Sequence, residues 1–232
     1  MKYLVIILDS LRYDSADDHS LKNFGPRRKA ITNANFTAAS FVSMLGCGFW
    51  PRWDGDYPRL FHQMPNFVQS IPGKKVMITG MPWLSPTMSY VSSVISQFTD
   101  YIFRDTHTIL DFSVDFLAEK GDTYNFFLIW TGETHQPYSV GNNKTDWDRE
   151  KIRRMVSGEE AIDPDYMAYL HQRQREMFRY CSEIINSMDI ARETWVLITA
   201  DHGESFGENG VYGHGNDIHP TQFTVPLWLC KK

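Results

Sequence analysis

Residues 194–203 read TWVLITADHG, and the fold turns on how this run ends. The stretch 194–199 is short, apolar and rich in β-branched residues, as a buried strand is. It gives way at once to Asp201, His202 and Gly203. A carboxylate beside an imidazole at a strand end is either a polar surface turn or a metal site. The chain then runs through ESFGENGVY to a second His-Gly pair, His214 and Gly215.

Other stretches repeat the same rhythm. Residues 3–8 are continuously apolar and stop at Asp9; KVMIT (75–79) and YNFFLIW (124–130) are further strand candidates. TVPLWL (224–229) is another, with Pro226 suggesting an edge or strand-start position. Between them lie helical patterns at 38–47, at 108–119 (ending near Gly121) and at 163–188. The last opens on Asp163-Pro164, a suitable cap followed by proline at the first helical position. Strands alternating with helices predict an α/β fold, doubly wound, with a mostly parallel sheet and helices on both faces. Residues 49–73 and 136–162 break the pattern and read as long loops, the kind that shape pockets. No repeat or linker divides the chain, so one domain over 1–232 is expected.

Composition narrows the partners. The 232 residues are 42% hydrophobic and 22% charged, with a formal net charge of −5. With no basic run beyond Arg27-Arg28-Lys29, a nucleic-acid surface is not expected. Aromatics make up 14%, and Trp50, Trp53, Tyr57, Trp83 and Trp147 fall in loop-like stretches, where capping the core is the first reading and lining a pocket the second. Cys47, Cys181 and Cys230 are odd in number and widely spaced, which gives no disulfide or metal framework and favours a reducing compartment. The opening MKYLVIIL is too short to span a bilayer and lacks a cleavage site. Taken as a complete chain, the sequence reads as cytoplasmic with no membrane segment; as a piece of a membrane-anchored parent it would look the same.

In an open parallel sheet, ligands gather at the carboxyl ends of the strands. Asp9, Arg12, His135, Asp201 and His202 all follow strand candidates closely. Each has a structural explanation as a cap, a loop histidine or a turn former. Together on one edge they form an oxygen and nitrogen set suited to Zn²⁺ or Mn²⁺. FTAASFVSMLGCG (36–48) adds hydroxyls near a helix N-terminus, where backbone N–H groups favour an anion. A hydroxyl there, beside a divalent metal, could attack a phosphoryl or sulfuryl centre. Locally, Thr37, Ser40 and Ser43 are equivalent.

ILDSLRYD, FTAASFVSMLGCGFWP, THQPY, DHGESFGENGVYGHG and the closing VPLWL, in that order, resemble the alkaline phosphatase/sulfatase superfamily, especially its sulfatase-like and phosphoethanolamine-transferase branch. The resemblance spans residues 4 to 229 and implies the same doubly wound fold. By it, Asp9, Asp201 and His202 match metal ligands and Thr37 the nucleophile, itself bound to the metal. His135 and His214 match residues that hold the transferred group or a second metal, and are carried as catalytic and substrate-binding candidates. Arg12 is a candidate anion contact or a structural ion pair with Asp14, and the role of His219 is left open.

The departures from the family pattern also count. Thr37 is followed by Ala-Ala-Ser-Phe rather than x-Pro-x-Arg, so formylglycine chemistry is not expected. Ser10 stands where many sulfatases carry a second Asp, so Zn²⁺ or Mn²⁺, as one or two ions, is favoured over Ca²⁺ or Mg²⁺. Set against the family pattern the sequence is short, and the usual C-terminal subdomain is not expected, which would suit a large substrate or a partner that completes the site. The resulting expectation is a metal-dependent hydrolase or transferase acting on a small-molecule or conjugated phosphate ester through a phospho-threonine intermediate. A sulfate-ester hydrolase on the same site, or a non-catalytic member binding an anion or a partner, are the alternatives. Oligomeric state is not legible.

Overall fold

The computed structural model describes residues 1–45, 67–104, 108–138, 149–215 and 218–232. Its strands are β1 (Lys2–Leu8), β2 (Arg28–Ile31), β3 (Lys75–Thr79), β4 (Asp100–Phe103), β5 (Phe126–Thr131), β6 (Thr194–Thr199), β7 (Ser205–Phe206), β8 (Tyr212–Gly213) and β9 (Thr224–Lys231). Its helices are α1 (Thr37–Leu45), α2 (Ser89–Ile95), α3 (Ile109–Lys120), α4 (Arg149–Val156) and α5 (Pro164–Ser187), with a single turn at Phe67–Ser70.

The main sheet has seven strands in the order β2-β9-β6-β1-β5-β3-β4. Strands β6, β1, β5, β3 and β4 run parallel, and β9 is antiparallel to both of its neighbours. Central β1 is apolar throughout because both of its faces are covered, the condition for a continuous hydrophobic strand. Leu4, Ile6 and Leu8 pack toward α3 and α5 with Leu110, Leu117, Phe178, Cys181 and Ile185. Ile7, with Met77, Leu128 and Trp130, packs on the other face against Phe41, Val42 and Leu45 of α1 and Val91 and Val94 of α2. Helices therefore cover both faces, as the alternating pattern predicts. The long helix α5 begins where Asp163 accepts from the N–H groups of Asp165 and Tyr166 at 3.0 and 3.1 Å.

The register sets up the functional edge. Leu8 of β1 aligns with Thr131 of β5, and Ile7 aligns with Thr199 of β6. The strands thus end level, and Asp9, the 132–135 segment and Asp201 emerge side by side. This is also where β5 and β6 depart to opposite sides of β1, the switch point at which such sheets form a crevice.

Several sequence expectations change. β9 is not an edge, because β2 pairs along its outer side. Pro226 is tolerated because the β6 ladder reaches only to Leu227, leaving no bond there that an N–H would have to make. The stretch 136–162 is not one long loop: α4 lies within it, with Ile152 and Met155 buried one helical turn apart. Most of 49–73, together with Cys47, Trp50, Trp53, Tyr57 and Trp147, lies outside the described residues. Cys181 and Cys230 are uncrosslinked thiols, as their spacing suggests.

Candidate metal centre

Asp9, Asp201 and His202 are fully buried, and each offers a ligand atom within 4.8 Å of the others. The loops that carry them are held tightly. Ser10, at φ 61, takes a left-handed conformation that costs a non-glycine residue about 1–3 kcal/mol. That strain is offset locally: its N–H donates to Asp201 Oδ1 at 3.1 Å and its hydroxyl to Asp9 Oδ1 at 2.9 Å. Asp201 Oδ1 also accepts from the His202 N–H at 2.9 Å. Gly203 turns the chain where a Cβ would stand 2.1 Å from the Thr221 carbonyl oxygen, so no larger residue fits.

What remains unpaired is informative. His202 Nδ1 lies 2.8 Å from the Gly203 carbonyl, which makes Nδ1 the protonated nitrogen and leaves the Nε2 lone pair for a metal. Nε2 sits 3.5 Å from Asp201 Oδ2 and 3.7 Å from Asp9 Oδ1. Both His202 Nε2 and Asp201 Oδ2 are buried without a hydrogen-bond partner. Orphaned buried polar atoms are rare in native folds and call for a reason. A divalent cation between them would supply one, and the donor set of two carboxylates and one imidazole suits zinc or manganese.

The electrostatics agree. Burial and the charge of Asp9 push the Asp201 carboxyl well above its usual range. Burial would raise Asp9 as well, but the neighbouring imidazoles of His135, His202 and His214 and the Ser10 hydrogen bond hold it below its usual range. Burial holds His202 below the ordinary imidazole range. Two buried carboxylates cannot both ionise at this spacing without a counter-ion.

Thr37 is the first residue of α1, and its hydroxyl donates to Asp9 Oδ2 at 3.0 Å. Of the other local hydroxyls, Ser43 donates to the Ser40 carbonyl and Ser40 Oγ is buried without a hydrogen-bond partner. His135 and His214 lie edge to face with ring centroids 5.4 Å apart, and His214 lies 4.4 Å from the His202 ring. Both histidines line one cavity with Phe36, Thr37, Ala38 and Trp83.

The Gly-rich excursion is a small hairpin. β7 and β8 pair antiparallel with Ser205 opposite Gly213, and Gly207 opens the turn at φ 93. The next pair outward is Glu204 and His214, whose Oε1 and Nδ1 stand 3.0 Å apart. Burial would raise the Glu204 carboxyl, but the charge and hydrogen bond of His214 hold it below the usual range. Arg12 lies beside this hairpin, with its guanidinium committed to both Asp14 oxygens at 2.7 Å and to Glu208. The structure thus gives Arg12 ion-pair partners within the protein. His219 caps the short turn at Pro220–Gln222 through Nδ1 and the Thr221 N–H, a structural position.

Two buried residues escape sequence reasoning. Gln174 of α5 donates to the carbonyls of Ser10 and Thr134 at 2.9 and 3.2 Å and accepts from Ser15, while Thr134 donates to the Asp9 carbonyl at 2.8 Å. A helical Gln carries no motif, so only the tertiary contact reveals it. Glu204 stood in plain view after Gly203, and the hairpin register is the signal that assigns it to His214.

No protein-family model and no curated protein sequence matches the chain. Solved structures do. The C-terminal periplasmic domain of EcEptC from Escherichia coli, in complex with Zn, superposes with a TM-score of 0.69 at 12% identity, over 100% of this chain and 72% of that one. The C-terminal periplasmic domain of the phosphoethanolamine transferase EptC from Campylobacter jejuni gives 0.65 at 15% identity, over 100% and 80%. A protein in the alkaline phosphatase superfamily from Vibrio parahaemolyticus gives 0.56 at 12%, over 100% and 60%. Among the described residues, no helix is long and apolar enough to cross a membrane. Two of these neighbours are periplasmic domains, so they lend the cytoplasmic expectation no support. By the extent of superposition, the chain has a fold like that of these neighbours, among them the alkaline phosphatase superfamily protein.

Proposed function

We propose that the protein transfers a phosphoryl group from a phosphate ester through Thr37. The observation that carries this reading is the Thr37 hydroxyl at a helix N-terminus, 3.0 Å from Asp9, beside two buried ligand atoms without partners. The Zn complex of a structural neighbour and its phosphoethanolamine-transferase relative support the same chemistry. Asp9, Asp201 and His202 would hold one divalent ion, zinc or manganese. Such an ion, when bound, lowers the pKa of an adjoining hydroxyl and offsets charge on phosphoryl oxygens.

The chain's own groups then divide the work. Thr37 Oγ1 forms the bond to phosphorus as the bond to the ester oxygen breaks, giving phospho-threonine and releasing the alcohol. Its proton leaves along the hydrogen bond to Asp9 Oδ2. N–H groups of the first turn of α1 point toward the anion. His135 and His214, on the same cavity wall, donate to the non-bridging oxygens, with Glu204 fixing the His214 ring. Water, or an acceptor alcohol, attacks phosphorus in the second step and regenerates Thr37.

The test is turnover by chelator-stripped protein resupplied with Zn²⁺ or Mn²⁺, offered aryl phosphate monoester, phosphodiester and sulfate ester. The reading expects metal-dependent release from a phosphate ester and a phosphorylated Thr37 peptide in acid-quenched samples, both lost in Thr37→Ala. Turnover of the sulfate ester alone, or equal phosphate turnover in Thr37→Ala, would overturn it.

A further inference from the structure

The cavity beside Thr37 has a volume of about 420 Å³ and is lined by Phe36, Thr37, Ala38, Trp83, His135 and His214. Small-molecule pockets of this size are largely apolar, with a few polar groups that fix orientation. Here the polar groups lie together: the Thr37 hydroxyl and the two imidazoles. The remaining wall is aromatic and methyl, with Phe36 half-buried and Trp83 53% exposed. Among the described residues lining it, none is a carboxylate, lysine or arginine.

We infer that this aromatic wall is the subsite for the organic group of the ester, and that it selects an apolar chain or aryl ring, with Trp83 the specificity-determining residue. The inference rests on the phosphate-ester reading above. For an ester whose phosphorus reaches Thr37, Phe36 and Trp83 are the large apolar side chains among the described residues that line the same cavity, and the surface they offer its substituent. Burying an alkyl or aryl group on that wall is favourable in proportion to the area removed from water. A polyanionic or sugar-like substituent would be desolvated there without a partner, which is unfavourable. A cationic substituent would find ring faces but, among the described lining residues, no carboxylate. Trp83 is 53% exposed, so its replacement removes only part of a side chain's buried area.

Binding of non-hydrolysable phosphonates separates this inference from its foundation. Inorganic phosphate and methyl-, propyl-, butyl-, hexyl-, phenyl- and 2-aminoethylphosphonate would be titrated calorimetrically into zinc-loaded wild type, Trp83→Ala and Trp83→Phe. The inference expects affinity to rise roughly fourfold per methylene from methyl to butyl, with phenyl at least as tight as butyl. Trp83→Ala should flatten the series without changing affinity for inorganic phosphate, and Trp83→Phe should restore much of it. If phosphate binds but chain length has no effect, or 2-aminoethylphosphonate binds more tightly than propylphosphonate, the subsite is misassigned while the phosphoryl reading stands. If neither phosphate nor any phosphonate binds, the phosphoryl reading fails and the subsite with it.

Discussion

At the scale of single residues, the account rests on a hydroxyl, two carboxylates and an imidazole whose remaining valences converge. Thr37→Ser keeps the oxygen and should retain turnover, whereas Thr37→Ala should abolish it while zinc still binds; comparing activity and metal content in the two variants checks this. Glu204→Gln leaves the hairpin intact but removes the charge 3.0 Å from His214. Its kcat should fall roughly tenfold, the scale at which partners that orient functional histidines act, with zinc affinity nearly unchanged. An unaltered kcat would remove Glu204 from the mechanism. The convergence of Asp9, Asp201 and His202 was legible because each follows a strand closely, where residue type and position carry the signal together. Thr37 was not separable from Ser40 and Ser43 on residues alone, since a hydroxyl at a helix start reads equally as a cap. The contact to Asp9 that distinguishes it spans a sequence separation of 28.

At the scale of elements, α5 matters beyond its apolar stripe, because Gln174 ties the β1 and β5 loops together. Gln174→Met would leave the Ser10 and Thr134 carbonyls buried without their donor, at roughly 1–3 kcal/mol each. Thermal unfolding should shift down accordingly, and zinc affinity should weaken because Ser10 adjoins Asp9 and Thr134 donates to the Asp9 carbonyl. Glu133, after β5, accepts from the Leu110 N–H at the start of α3, and burial pushes its carboxyl up to about 8. The folded state therefore holds a proton that the unfolded chain releases near its ordinary value of 4.5. Stability from this group is fully present below that value and is lost as pH rises toward 8. Glu133→Gln should flatten this decline by up to about 1.4 kcal/mol per pH unit, measured by urea unfolding across pH 5–8; identical slopes would contradict the assignment. The buried strands and α3 and α5 were legible because continuous apolar runs and 3.6-residue periodicity report burial directly. β2 and β4 were not, since both are four-residue edge strands, β2 with charged, exposed residues. Such edges are short and polar by their nature. α2 is rich in serine and valine and α4 in charge, so neither advertises a helix.

At the scale of the whole molecule, the level ends of β1, β5 and β6 turn three distant segments into one site, and the two-faced core holds that edge in place. Phe178 on α5 stacks against Trp228 of β9 at 5.7 Å, joining the helix layer to the outer half of the sheet. Both are fully buried, and Phe178→Ala should cost about 3–5 kcal/mol, read as a drop in the unfolding midpoint. The sheet order follows from alternation plus right-handed crossovers only in outline. Placing β9 between β6 and β2 requires knowing that the antiparallel return is longer than its partner, which no local pattern states. The ligand group carries its own global signature: in metal-free protein, two buried carboxylates oppose each other, so zinc should raise the unfolding temperature. The most direct measurement is calorimetric titration of Zn²⁺ into chelator-stripped wild type and Asp201→Asn, with the metal-free unfolding temperature of each. The account predicts a tight site in the wild type that is lost in Asp201→Asn, while the metal-free variant melts no lower than the wild type. Equal zinc affinity in both proteins, or none in the wild type, would contradict it.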